Sequence, residues 1–227
     1  MGLVPRGRLC CCAEMMPADF IRANTELIPA PLVPEIRLHL AAESLPIWRK
    51  TEEELGQMNV PPPYWAFAWA GGQALARFIL DNRHLVAGRR VLDLGAGSGI
   101  VAIAAMLAGA AQVVASDIDG LALAAIRLNA EANGVRVETT ATDLLAGPPD
   151  AAQVVLVGDL FYERALAERV LAFVEAARQG GAEVLVGDPR RSYFPGDRFR
   201  QVALYSVPVT RELEDAEIKR SAVWRLA

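Results

Sequence analysis

Only three cysteines occur in this chain, and they are consecutive, Cys10 to Cys12. Neighbouring cysteines cannot staple a fold together, so a disulfide framework is excluded and a reducing, cytosolic compartment is expected. Histidine is scarcer still: His39 and His84 lie far apart and far from the cysteines. Structural zinc needs ligands at short, defined spacings, so no metal site is expected. The longest apolar run, Ile100 to Ala111, falls short of the roughly 20 residues that span a bilayer, and no membrane segment is expected. Basic charge is not in excess either. A net charge of −4 leaves no overall footprint for a phosphate backbone, so nucleic acid is not the expected partner.

What is present is enough apolar material, 53% of 227 residues, to bury the core of one α/β domain. Residues 1–16 read as a leader: LVPRG resembles a protease cleavage site, and no apolar stretch suits secretion. Residues 17–60 read as an irregular, proline-punctuated N-terminal extension, and residues 61–227 as the domain proper. In VPPPYWAFAWAGGQALARFILDN the prolines impose an extended approach to a helix from about Gly72 to Leu80. From Gly88 onward RVLDLG, AQVVASD, VRVETTA, AAQVVLVGD and GAEVLVGD read as buried strands. Helices such as SGIVAIAAMLAG and DGLALAAIRLNAEANG intervene. That alternation predicts a doubly wound, mostly parallel sheet covered on both faces. FRQVALYSVPV and EIKRSAVWRLA have no helix between them, which predicts an antiparallel C-terminal hairpin and seven strands in all.

The strongest motif is Val91 to Gly99, VLDLGAGSG, where a strand turns into a helix. Gly95, Gly97 and Gly99 let the backbone approach a ligand at the sheet's carboxyl edge. A glycine-rich turn also serves dinucleotides, so charge must decide. Asp93 would repel a pyrophosphate and suit a ligand's amino group. Asp117 ends the next strand, where a carboxylate can accept both ribose hydroxyl protons; Asp119 is the near competitor. Asp143 follows the third strand, placed to accept from an adenine amine while Leu144 borders the ring. Each Asp could instead cap the helix that follows it. Their occurrence at successive strand ends favours a nucleoside with an amino-acid tail over NAD.

These residues resemble motif I and the ribose-binding acid of the seven-β-strand methyltransferases. Further, NTELIPAPLVPEIRLHL, PPPYWAFAWAGGQALARFILDN and VGDLFYE resemble the electron transfer flavoprotein β-subunit lysine methyltransferase family, from about Asn24 onward. That family is itself similar to ribosomal-protein methyltransferases. The resemblance implies S-adenosyl-L-methionine as cofactor, with Trp69 and Gly71 beside it, and a protein lysine as acceptor. It implies that Asp159 orients the amine and that Tyr162 hydrogen-bonds it or walls its channel. An Asn-Pro-Pro-Tyr signature is absent, which disfavours bases and glutamine as targets. Tryptophans such as Trp65 and Trp69 equally suit core packing.

The expected partner is therefore the flavoprotein β subunit or, as the alternative, a ribosomal protein. Arg190, Arg191 and Tyr193 either touch that partner or form a solvated loop. From other classes, a nicotinamide-dependent oxidoreductase and an inactive cofactor-fold binding module are the competing readings. The location would be cytoplasmic in a bacterium and the mitochondrial matrix in a eukaryote. The lysine chosen, the number of methyls and the oligomeric state are left open.

Overall fold

A computed structural model describes residues 16–41, 62–147, 149, 151–210, 214 and 216–227. The expected leader, save Met16, and the WRKTEEELG stretch lie outside the described residues. The central sheet contains strands β3 (Arg90–Leu94), β4 (Gln112–Ser116), β5 (Glu138–Thr140), β6 (Val154–Gly158), β7 (Glu183–Asp188), β8 (Phe199–Pro208) and β9 (Ile218–Leu226). Their order is β5-β4-β3-β6-β7-β9-β8. The first five run parallel; β9 is antiparallel to both β7 and β8. This is the doubly wound sheet with a terminal hairpin that the alternation predicts. The VRVETTA strand is shorter than expected, pairing only through Glu138–Thr140.

Strand alternation sorts the core. Val91, Val113, Val154, Leu156 and Leu185 face α2 (Ala70–Asp81), α3 (Ile100–Leu107) and α4 (Gly120–Ala132). Leu92, Leu94, Val155, Val157, Val184 and Val186 face α5 (Arg164–Gln179) on the other side. Period-two burial on both faces is what a parallel sheet under two helical layers requires. Among the described residues no helix is long and apolar enough to cross a membrane.

The N-terminal extension departs from the expected irregularity. It holds α1 (Pro17–Asn24) and a hairpin of β1 (Glu26–Ala30) and β2 (Val33–Leu40). Pro29, Pro31 and Pro34 disguise the hairpin in sequence, yet proline is tolerated where a strand needs no ladder donor. The hairpin is tied down by α4. Asn133 Oδ1 accepts from the Arg37 N–H and Asn129 Oδ1 from the His39 N–H. Ile36, Leu38 and Leu40 join the same apolar cluster as α2 and α3.

Candidate functional site

Because β3 and β6 are sheet neighbours whose crossovers leave in opposite directions, a crevice opens at their carboxyl ends. There lies a cavity of about 470 Å³, lined from β3 and β4 by Leu94, Gly95, Gly97, Asp117 and Ile118. Thr142, Asp143 and Leu144 line it after β5, and Asp159, Leu160 and Tyr162 after β6. Tyr64, Trp65 and Trp69 line it from the segment before α2. The size is that of a small-molecule site.

The turn after β3 holds Gly97 at φ 51°, a conformation disfavoured for other residues, and nothing crowds its cavity side nearer than the Trp65 Cα at 4.0 Å. Its N–H donates to Asp117 Oδ2 at 2.9 Å, while the Asp119 N–H donates to Asp117 Oδ1 at 3.0 Å. Asp117 is thereby fixed at the cavity wall, and burial pushes its carboxyl above the ordinary value against these N–H contacts. Asp119 is the N-cap of α4, accepting from the Leu121 N–H, so between the two acids Asp117 is the one oriented by the glycine turn.

Four expected site residues are placed or engaged differently. Asp93, expected to face a ligand's amino group, points to the other face of β3 and is 1% exposed. Its Oδ2 accepts from the Ala102 N–H in the first turn of α3 at 2.9 Å. Strand alternation explains this, since Leu92 and Leu94 take the opposite face. Burial raises its carboxyl to about 7. Gly99 packs toward Ile126 of α4 and Gly71 against Gly187 of β7, and neither lines the cavity. Asp143 does line it, but Oδ1 accepts from the Leu145 N–H and Oδ2 pairs with Arg169 at 2.6 Å. It is acting as a cap, and Leu144 and Ile118 are left to border a flat ring.

An aromatic wall closes the other end. Tyr64 meets Trp69 edge-on at 6.0 Å between ring centroids and Tyr162 at 5.7 Å. Tyr162 is half-exposed, and burial raises its hydroxyl pKa. Trp65 keeps a buried Nε1 without a partner among the described residues. Beside the wall Asp159 holds φ 57° and is 8% exposed. Its Oδ2 accepts from the Gly72 N–H at 2.8 Å, and its Oδ1 accepts from Arg191 Nη2 at 2.8 Å and Nε at 3.1 Å. Arg191 also grips Glu214, Nη2 to Oε1 at 2.7 Å and Nη1 to Oε2 at 3.1 Å, and lies 5.4 Å over the Trp69 ring. Burial pushes the Asp159 carboxyl up, and Arg191 opposes it. The sequence places Arg191 in a partner-facing or solvated loop; it turns inward instead. Glu214 has no signal at all in its charged surroundings, and Tyr64 was signalled only by the aromatic density around it.

Asp188, at the end of β7, is fully buried with Oδ2 unpartnered among the described residues. Burial, reinforced by nearby Asp159, raises it to about 7. A carboxyl whose pKa rises on folding favours the folded state when protonated, and that advantage is lost as pH climbs from about 4 through about 7. Asp188→Asn should therefore be more stable than the wild type at pH 8, by roughly 1–3 kcal/mol. The gain should vanish near pH 4.5, as urea melts at the two pH values would show.

Comparison with known proteins places this chain among methyltransferase sequences. The sequence profile of the ribosomal protein L11 methyltransferase (PrmA) family matches residues 74–180. Electron transfer flavoprotein beta subunit lysine methyltransferase from Danio rerio is 40% identical over 91% of this chain and 82% of its own. The Xenopus laevis protein of the same description is 39% identical over 92% of this chain and 86% of its own. Among solved structures, the tRNA (uracil-54, C5)-methyltransferase of Pyrococcus abyssi, in complex with S-adenosyl-L-homocysteine, shares the fold. Its TM-score is 0.50 and its identity 20%, over 67% of this chain and 38% of that one.

Proposed function

The chain belongs to the electron transfer flavoprotein β-subunit lysine methyltransferase family, and from that premise we propose that it methylates a lysine ε-amine of the flavoprotein β subunit, using S-adenosyl-L-methionine. The observation that carries the proposal is the junction of two half-sites in one cavity. One half, Gly97 and Asp117 with Leu144 and Ile118, suits a nucleoside; the other, Asp159 within an aromatic wall, suits an alkylammonium. The ribosomal reading is weaker, because its family profile stops at residue 180, before Arg191 and Glu214.

The residues fit the cofactor. Asp117 can accept from ribose hydroxyls, and the apolar lining suits a base. When bound, S-adenosyl-L-methionine supplies an activated methyl on a sulfonium. The chain's own work is to seat the amine in line and keep water out. Lysine ionises near ~10.4, so it arrives charged and releases its proton to solvent water before the neutral amine attacks. Asp159 attracts and orients the ammonium; Tyr64, Trp69 and Tyr162 line its methylenes and offer Tyr162's hydroxyl as a hydrogen-bond partner.

The test is to incubate purified protein with tritiated S-adenosylmethionine and, in parallel, purified flavoprotein or purified ribosomal protein L11, then map the label by mass spectrometry. Labelled lysine on the β subunit supports the proposal. Cofactor binding with labelling of L11 instead would move the substrate, and labelling of neither would sink the lysine reading. Asp117→Ala should weaken the cofactor Kd about 10- to 100-fold, the loss expected of charge-assisted hydrogen bonds. Turnover at saturating cofactor should be largely kept, and calorimetry with single-turnover assays separates the two.

A further inference from the structure

Arg191 has an unusual situation for a basic residue in a cavity meant for a cation. It is held on two sides by carboxylates from separate parts of the chain: Asp159 after β6 and Glu214 between β8 and β9. Its main-chain N–H donates to Asp188 Oδ1 at 2.7 Å, so backbone and side chain are anchored independently. Trp69 covers the guanidinium face. A surface arginine needs none of this. The fork matches both partners, using Nε and Nη2 toward Asp159 and both terminal nitrogens toward Glu214.

We propose that Arg191 is the positioning residue of the amine site: pinned by Glu214, it aims the Asp159 carboxylate into the cavity and keeps it an anion ready for an incoming ammonium. The inference deepens the lysine methyltransferase reading and rests on it. Asp159 sits in a place hostile to charge. It is buried, with Glu214 before β9 as a like charge nearby. Lys219 of β9, 3.4 Å from Glu214, is spent on that residue. From α2 the neighbouring contribution is the Gly72 N–H. Arg191 is thus the charged group that offsets burial at Asp159, and its removal leaves desolvation and Glu214 to push Asp159 toward the neutral form. A neutral acid neither draws an ammonium nor takes a fixed orientation from a guanidinium. Glu214 serves a second purpose: it keeps Arg191 from presenting an uncompensated positive charge to the substrate.

The test compares Arg191→Gln and Arg191→Lys with the wild type, measuring kcat/KM for the flavoprotein β subunit from pH 6 to 9. Titration of the substrate lysine cancels in the ratio of variant to wild type. For Arg191→Gln that ratio should fall as pH falls, because the fraction of ionised Asp159 is lost at the acid end first. Arg191→Lys, which restores the cation, should flatten the ratio. A uniform loss at every pH would mean that Arg191 only supports the loop, and the proposal would be overturned. If Arg191→Gln does not fold, the same comparison is made with Glu214→Gln, whose freed guanidinium should raise KM for the protein substrate more than it lowers kcat; an unchanged KM overturns it. A wild type that binds cofactor and labels no lysine removes the underlying reading instead, so the two failures are distinguishable.

Discussion

Asp159→Asn should lower methyl transfer by about 100- to 1000-fold while shifting the cofactor Kd by less than about threefold, the pattern of a residue that acts on the acceptor amine. Asparagine is the informative substitution because Asp159 sits at φ 57°. Asn tolerates that left-handed conformation nearly as well as Asp, whereas Ala would add backbone strain to lost chemistry. An amide oxygen can still accept from the Gly72 N–H, so the first turn of α2 keeps its anchor. Arg191 retains Glu214. What disappears is the negative charge, together with the two hydrogen bonds that Arg191 donates to it, since the amide NH2 cannot accept them. Equilibrium binding and single-turnover transfer at saturating cofactor check both halves of the expectation. A parallel collapse of cofactor binding would show that Asp159 matters as the clamp between α2 and the sheet, not as the amine's partner.

The topology and half of the site were legible in the sequence for one shared reason. Parallel strands buried on both faces read as short apolar runs, and acids at their carboxyl ends interrupt those runs visibly: Asp117, Asp143 and Asp159 all line the cavity. Direction was not legible from position alone. Asp93 stands in the most recognisable motif, yet its side chain leaves on the face away from the cavity, an outcome of strand alternation that only the neighbours' burial decides. Asp143 shows the other limit, since an acid at a strand end serves a ligand or a cap equally well, and here a cap and Arg169 claim both oxygens. The N-terminal hairpin was hidden because its ladder is completed by asparagine side chains from α4, about 90 residues away. Arg191 and Glu214 were hidden for the same reason: each is one charged residue among others until the chain brings them together around Asp159.

Gly71→Ala should cost about 3 kcal/mol or more, and it tests how the amine site is built from backbone alone. A Cβ at Gly71 would lie 2.2 Å from the Gly187 carbonyl oxygen and 2.6 Å from Asp159 Oδ2; one at Gly187 would lie 2.1 Å from the Gly71 carbonyl oxygen. Neither backbone atom can swing aside as a side chain could. The first turn of α2 lies directly on the end of β7, and this contact brings the Gly72 N–H within reach of Asp159. Relief therefore requires α2 to lift from the sheet, which would break that hydrogen bond and shift Trp69, the residue before the helix, off Arg191. Gly120→Ala is the control: it is helical, has nothing within 4 Å of its added Cβ, and should be neutral or stabilising by up to about 1 kcal/mol. Urea melts of both variants give the comparison. If Gly71→Ala melts like Gly120→Ala, α2 slides freely on β7, and the Asp159–Arg191–Glu214 pairing would have to position the carboxylate without help from the helix. If it is destabilised and loses transfer even under conditions where it is folded, the glycine pair is as much part of the amine site as the charged residues it brings together.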